Sequence, residues 1–147
     1  MATNLTDQDE AVDDVAAERG TAASMPILTA RDAADLVAPA LADANRERLA
    51  VAHLDMHNRL LDLEVRNHAA THVDLPIRAI VARALALQTV GLVIAHNHPS
   101  GDPSPSAADI AATRRLAMTC GPLDIRLHDH LIFAGGRCTS FRLEGLL

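Results

Sequence analysis

The chain has 147 residues, 49% of them hydrophobic, which predicts one domain with a core of ordinary size. Phe133 and Phe141 are its only residues among Phe, Tyr and Trp, so the core must consist of Leu, Val, Ile and Ala. No apolar run reaches the roughly 18 residues of a membrane span, and no basic segment followed by an apolar stretch indicates a secretory signal. We therefore expect a cytoplasmic protein.

The formal net charge of −6 is concentrated at the N-terminus. Residues 1–25 contain six acidic residues and only Arg19 as a base, and they show no sustained apolar period. We predict a disordered acidic arm at 1–25, followed by one nearly neutral domain at 26–147. Nucleic-acid binding needs clustered cations, whereas the arginines are spread along the chain, so nothing strongly favours direct nucleic-acid binding.

Three segments have the pattern of helices. Thr29 and Asp32 form a capping-box pattern at the start of the first, and Pro39 is expected to bend or end that helix. Pro76 begins the second, and the Gly-Pro pair at 121–122 ends the third. The predicted buried positions of the second helix are Ile80, Val81, Ala84, Leu85 and Leu87.

Strand patterns are predicted at 49–54, 59–65, 91–96, 124–128, 130–134 and 137–141. The first two form an antiparallel pair, and alternation in the second places Leu61, Leu63 and Val65 inward and Asp62 and Glu64 outward. The third is apolar on both faces, as in a central strand covered by helices. The fold class expected is α/β, with a mixed sheet of about six strands flanked by about three helices.

Isolated cysteines and histidines receive structural interpretations. Cys120 and Cys138 are too far apart for a C-x-x-C motif, and we expect both to be reduced core residues. Four histidines without a partner at a metal-ligand spacing are expected at surface or hairpin positions: His53, His57, His68 and His72.

Two histidines, His96 and His98, end the predicted central strand. At the spacing i, i+2 in a strand, both imidazoles project from the same face. Pro and Gly residues then interrupt regular structure, and Ser106 with Asp109 has the signature of a helix start. A carboxylate in that first turn can return to the histidines, and two His with one Asp suit zinc with one position left open. The alternative for Ser106 and Asp109 is a plain capping box.

The spacing of His96, His98, Ser106 and Asp109 resembles the H-x-H-x7-S-x2-D motif of the JAMM (MPN+/JAB) metalloproteases, and the run H-N-H-P-S-G-D-P-S-P-S is similar to the RadC branch of that family. Further blocks match RadC proteins in the same order: Arg46-Glu47, Leu54-Asp55, Arg78 with Ala84-Leu85, Asp129-His130-Leu131, Ser140-Phe141 and Gly145-Leu146-Leu147. The resemblance covers about residues 30–147. It implies a three-layer, deaminase-like JAB fold.

The same resemblance implies a zinc-dependent hydrolase of peptide or isopeptide bonds, whose partner is a peptide or protein substrate. The implied metal ligands are His96, His98 and Asp109. Glu47 would act as general base and acid, and Ser106 would stabilise the oxyanion. Glu64 is the rival base, which strand alternation turns away from the apolar face of its strand. His130 could line the site or pack at a strand start, and we favour the structural role.

A second hypothesis is a non-catalytic, metal-containing binding module associated with DNA repair or mobile elements, an association that the RadC resemblance also carries. Salt-dependent DNA binding without hydrolysis would favour it. A zinc nucleoside deaminase would need H-x-E together with P-C-x-x-C, and neither occurs. An HNH nuclease is suggested only by the letters at 96–98.

Overall fold

The computed structural model describes residues 25–42, 45–67 and 75–147. The predicted acidic arm, apart from residue 25, lies outside the described residues, as do His68 and His72. Within the described ranges, no helix is both long enough and apolar enough to cross a membrane.

The described residues form a five-stranded mixed sheet with three α-helices. The elements are α1 (Ala30–Leu41), β1 (Arg48–Leu54), β2 (Leu60–Asn67), α2 (Ile77–Leu87), β3 (Gly91–Asn97), α3 (Ala107–Cys120), a short 3₁₀ helix (Gly121–Leu123), β4 (Arg126–Ala134) and β5 (Arg137–Ser140). The strand order is β2-β1-β3-β4-β5, with β3 and β4 parallel and the other neighbours antiparallel. The predicted mixed α/β fold is confirmed.

The sheet is covered on both faces, and each face has its own apolar core. Leu49, Val51, Leu92 and Ile94 pack against buried residues of α2 and α3. The alternate residues Ala50, Ala52, Val93 and Ala95 pack against α1. Every residue of β3 is buried, which confirms the prediction of a central strand.

The sheet has one strand fewer than predicted because β4 is continuous through Asp129. His128 has no partner in the ladder between β3 and β4, since Leu92 pairs with Leu127 and Val93 with Asp129. The expected turn is therefore a bulge. Asp129 resembles a turn residue in sequence, but it is buried here as an acceptor. Its carboxylate receives hydrogen bonds from the His130 N–H at 2.7 Å, the Ser140 hydroxyl at 2.6 Å and the Arg142 N–H at 3.1 Å.

The side-chain directions predicted for β2 are partly wrong. Leu61 is exposed, because a bulge opposite His53 and Leu54 leaves it without a partner in β1. Asp62 and Glu64 do not point into solvent. Asp62 binds Arg83 of α2 at 2.5 Å, and Glu64 binds the His53 ring at 3.1 Å.

His53 is fully buried, so the surface position predicted for it is wrong, whereas His57 is exposed as predicted. The His53 ring lies 3.1 Å from the Thr89 hydroxyl and 3.1 Å from Glu64. Burial lowers the pKa of His53, and the opposing influence of Glu64 is smaller. The prediction was wrong because His53 lies close to the turn at 55–58, and the sequence pattern gave no indication that this end of the strand is covered by α2.

Three further predictions fail at exposed or edge positions. Of the two effects predicted for Pro39, an end to the helix is wrong: α1 continues to Leu41, because Val37 and Leu41 are both buried and their packing outweighs the missing N–H. Leu85 is exposed, since the buried stripe of α2 is narrow and contains Ile80 and Ala84. Cys138 is exposed on the edge strand β5, while Cys120 is buried as predicted and both thiols are free.

The chain reversals carry the expected local chemistry. The capping box of Thr29 and Asp32 is present. Gln88 ends α2 in the left-handed conformation, with φ of 56°. Gly135 and Gly136 have φ of 55° and 75°, which suits the tight turn predicted between β4 and β5.

Removing the Asp129 carboxylate is expected to destabilise the fold. Asp129→Ala would leave buried donors without an acceptor, at a cost of roughly 2 to 4 kcal/mol in the free energy of unfolding, measured by urea titration. Asp35→Ala is the control, because Asp35 is an exposed residue of α1 whose ion pair with Arg31 spans 3.9 Å; its effect should stay below about 0.5 kcal/mol. Equal effects of the two substitutions would contradict a structural role for Asp129.

Candidate metal centre

Three predicted ligands meet at the end of β3. His96 is the penultimate residue of that strand, His98 follows it, and Asp109 lies in the first turn of α3. One ligand atom from each residue lies within 4.8 Å of the others, an arrangement that could hold a metal ion. His96 and Asp109 are buried and His98 is partly exposed. β3 pairs with a strand on each side at His96, and the His98 N–H donates to the carbonyl of Phe133 at 2.8 Å, so backbone hydrogen bonds position both histidines.

A chain of hydrogen bonds determines which nitrogen of His96 faces the site. The Thr113 hydroxyl donates to the backbone carbonyl of Asp109 at 2.6 Å, so it must accept from the ring of His130, whose Nδ1 is 2.6 Å away. Burial, with a smaller contribution from His96, holds the pKa of His130 well below its ordinary value, and the ring is neutral. Its Nε2 therefore accepts from Nδ1 of His96 at 2.7 Å. In the neutral form of His96 this places the lone pair on Nε2, the nitrogen that faces the site.

His98 has the same tautomer for a different reason. Its Nδ1 lies 2.8 Å from the carbonyl oxygen of Asp102, which can only accept, so Nδ1 carries the proton. Nε2 of His98 then presents a lone pair 2.8 Å from Nε2 of His96.

The carboxylate of Asp109 adds a third acceptor. Its Oδ1 is buried without a hydrogen-bond partner among the described residues and lies 3.4 Å from Nε2 of His96, while Oδ2 lies 3.3 Å from Nε2 of His98. Converging acceptors with no donor repel one another unless a cation lies between them. Two imidazole nitrogens and one carboxylate oxygen are the donor set of open zinc sites, so these residues fit zinc.

Ser106 and Asp109 also form the capping box that was the alternative interpretation. Asp109 N–H donates to the Ser106 hydroxyl oxygen at 3.0 Å, and Ser106 N–H donates to Oδ2 of Asp109 at 2.9 Å. Burial alone would raise the pKa of Asp109, but the hydrogen bonds with Ser106 act in the opposite direction and favour the ionised carboxylate. The cap therefore keeps Asp109 ionised and directs its free oxygen toward the histidines.

A narrow cavity of about 10 Å³ adjoins His96 and Asp109, and its volume is close to the space that one water-sized sphere requires. Its lining residues are Glu47, Leu49, Leu75, His96, Asp109, Ala112 and His130. Leu49 pairs with His96 across the antiparallel ladder, and Glu47 lies two residues earlier. The structure thus brings the predicted base, which is half-buried, to the same cavity as two of the predicted ligands.

Asn97 holds the backbone on both sides of Glu47. The Arg48 N–H donates to Oδ1 of Asn97 at 2.6 Å, and Nδ2 of Asn97 donates to the Arg46 carbonyl at 2.9 Å. The residue between the two histidines therefore links the ligand strand to the predicted base. Sequence analysis did not identify Asn97, because its position inside H-N-H carries no sign of its partner on β1.

The rival base Glu64 lies away from this cavity. Strand alternation alone does not exclude Glu64, because its side chain faces the α2 side of the sheet, where the candidate metal centre also lies. Its carboxylate is instead engaged by His53 at 3.1 Å and Arg66 at 3.0 Å, and it does not line the cavity.

His130 lines the cavity and contacts a predicted ligand, so its role extends beyond the structural one favoured from sequence. Phe141 stacks on its ring with centroids 4.4 Å apart. The blocks Asp129-His130 and Ser140-Phe141, which are separated in sequence, thus pack together. The only sequence signal for a role of His130 at the site was its place in a block that matches RadC proteins. Thr113 gave no signal in the sequence.

Comparison with known proteins agrees with this geometry. The family model described as RadC-like JAB domain matches residues 27–146, and the chain belongs to this family. It is 43% identical over 124 residues to a UPF0758 protein of Rhodobacter capsulatus, covering 83% of this chain and 58% of the relative. It is 46% identical over 107 residues to a UPF0758 protein of Aquifex aeolicus, covering 71% of this chain and 46% of the relative. It is 34% identical over 147 residues to a UPF0758 protein of Salinibacter ruber, covering 99% of this chain and 63% of the relative. The chain thus spans about half to three fifths of the length of these relatives.

Zinc binding should depend on the converging acceptors. The chain is expected to bind zinc stoichiometrically, and His96→Ala should lose most of it, as measured by elemental analysis after dialysis against free zinc. His57→Ala is the matched control, because His57 is exposed and distant in sequence from the cluster. Unchanged zinc content in His96→Ala would exclude this site.

Zinc affinity should also depend on the residue that orients His96. His130→Phe keeps a ring beside Phe141 but removes the acceptor for Nδ1 of His96, and a chelator competition titration should show about 10- to 100-fold weaker zinc binding. Thr113→Val should have a smaller effect in the same direction. Thr119→Val, on the exposed side of α3, should have none. Wild-type affinity in a folded His130→Phe variant would contradict this orientation by hydrogen bonding.

Proposed function

We propose that this chain is a zinc-dependent hydrolase of peptide or isopeptide bonds. One observation supports this most strongly: Nε2 of His96, Nε2 of His98 and Oδ1 of Asp109 converge at one point, and Glu47 lines the cavity beside His96 and Asp109. Membership of the RadC-like JAB domain family agrees with this reaction class. Because the chain covers only part of its relatives, the activity proposed is that of the described domain.

His96, His98 and Asp109 would hold the zinc ion. When bound, zinc would polarise the scissile carbonyl group and increase the acidity of water. Glu47 would accept a proton from the attacking water and deliver it to the leaving nitrogen. Because Asn97 fixes the backbone at Arg46 and Arg48, the Glu47 carboxylate would need little reorganisation during these transfers.

Ser106 is proposed to donate its hydroxyl proton to the oxygen that becomes negative during hydrolysis. Its oxygen already accepts the Asp109 N–H in the capping box, and its proton has no acceptor elsewhere in the described part of the chain. The side chain of His98 is 19% exposed, against 4% for His96 and 1% for Asp109. A peptide or protein substrate would therefore approach past His98 and the exposed Ser106.

Glu47→Gln should separate metal binding from catalysis. The amide cannot accept the proton from water, so hydrolysis should fall by about 100-fold or more while zinc content stays at the wild-type level. Turnover would be measured on a library of peptides and lysine-linked isopeptides, and zinc by elemental analysis. Glu64→Gln is the control, because Glu64 is a half-buried strand glutamate outside the cavity; it should retain hydrolysis.

Two results would contradict the proposal. Full activity in Glu47→Gln would assign the proton transfer to another residue. Salt-dependent DNA binding by the zinc-loaded chain, with no hydrolysis of any library member, would favour the non-catalytic binding module instead.

A further inference from the structure

A second cavity lies on the opposite face of the sheet, next to α1 and the beginning of β4. Its volume is about 180 Å³, enough for several water molecules. Its lining residues are Ile27, Leu28, Thr29, Ala30, Ala33, Asn58, Val93, Arg126, His128, Asp129 and Arg142. None of them lines the cavity beside the metal centre, so the two cavities are separate.

Two arginines give this cavity its charge. Arg126 begins β4, Arg142 follows β5, and neither guanidinium has an acceptor among the described residues. Burial, followed by the positive charges of Arg126 and Arg142, lowers the pKa of His128. Arg126, His128 and Arg142 all line this cavity, so two arginines sixteen positions apart in sequence form one basic cluster around it.

The acidic groups nearby are already committed to other partners. The Asp129 carboxylate accepts hydrogen bonds from the Ser140 hydroxyl and from the backbone N–H groups of His130 and Arg142. Asp32, behind the helix start, accepts the Leu28 and Thr29 N–H groups at 3.0 and 2.9 Å. Neither carboxylate is engaged by a guanidinium, so the arginines retain their full hydrogen-bonding capacity toward a ligand.

The wall of the cavity depends on a glycine. A Cβ atom at Gly91 would overlap the ring of His128, so the imidazole lies directly over the Gly91 backbone. Backbone hydrogen bonds fix the surrounding segments, with Ile27 N–H bound to Asn58 at 2.8 Å and Arg142 N–H bound to Asp129 at 3.1 Å. The shape is therefore set by the backbone, and only the guanidinium groups need to adjust.

We propose that this second cavity binds the phosphate group of a small phosphorylated molecule. Two guanidinium groups provide paired donors whose planar geometry matches phosphate oxygens, and their two positive charges exceed the single negative charge of Asp129 in the same lining. Thr29 and Ala30, at the N-terminal end of α1, also line the cavity. A nucleic-acid backbone would need cations along an extended path, whereas these two exposed arginines line one cavity of about 180 Å³.

Inorganic phosphate is the probe for this site. It would be titrated into the ¹⁵N-labelled, zinc-loaded chain, and amide shifts of Arg126, His128 and Arg142 should change and saturate. The double substitution Arg126→Gln with Arg142→Gln should weaken the apparent affinity by at least about tenfold, since two charge-assisted hydrogen-bonding groups are lost. Arg114→Gln, an exposed arginine of α3, should leave the affinity unchanged.

The metal centre must be excluded as the source of these shifts. His98→Ala removes a proposed zinc ligand on the other face and should leave phosphate binding intact. The proposal would be overturned if phosphate shifted only the amides around 96–98, or if the double variant bound phosphate as the wild type does. It would also be overturned if a DNA duplex shifted the cavity amides and phosphate did not compete with it.

Discussion

Mutual repulsion among three acceptors is the constraint on which the candidate metal centre depends. Nε2 of His96, Nε2 of His98 and Oδ1 of Asp109 face one another, and when both rings are neutral none of these atoms has a proton to donate to another. The protons are held on the far side, where His96 donates to His130 and His98 donates to a backbone carbonyl. Repulsion among these atoms lowers the stability of the fold, and a cation bound between them would remove that repulsion.

The order of the strands explains why the other polar residues meet there. β3 is central, so one neighbour can provide a catalytic group and the other can orient a ligand. Antiparallel β1 begins where β3 ends, which brings Glu47 to the histidines. In parallel β4, His130 pairs with Ile94, which precedes His96 by two residues and therefore lies on the same face of the sheet. Asn97 then ties β1 to β3 at the level of the site.

Neighbouring residues of β4 serve opposite faces of the sheet. His130 faces the metal centre, while Asp129 faces α1 and binds the turn after β5. The bulge at His128 places a third side chain over Gly91, in the wall of the basic cavity. One short segment therefore contributes to the orientation of a predicted ligand, the turn after β5 and the wall of a second cavity.

The sequence by itself determined the order of most elements, the mixed α/β class and the three candidate ligands, because these follow from local periodicity, caps and a fixed motif spacing. It failed where partners are distant in the chain. His53 looked like a turn residue until Glu64 and Thr89 enclosed it. Asp129 looked like a turn residue until it became an acceptor for the segment after β5. Only the tertiary structure decided the tautomers of His96 and His98, the clamp on Glu47 and the meeting of Arg126 with Arg142, because each depends on strand pairing between segments whose separation no local pattern records.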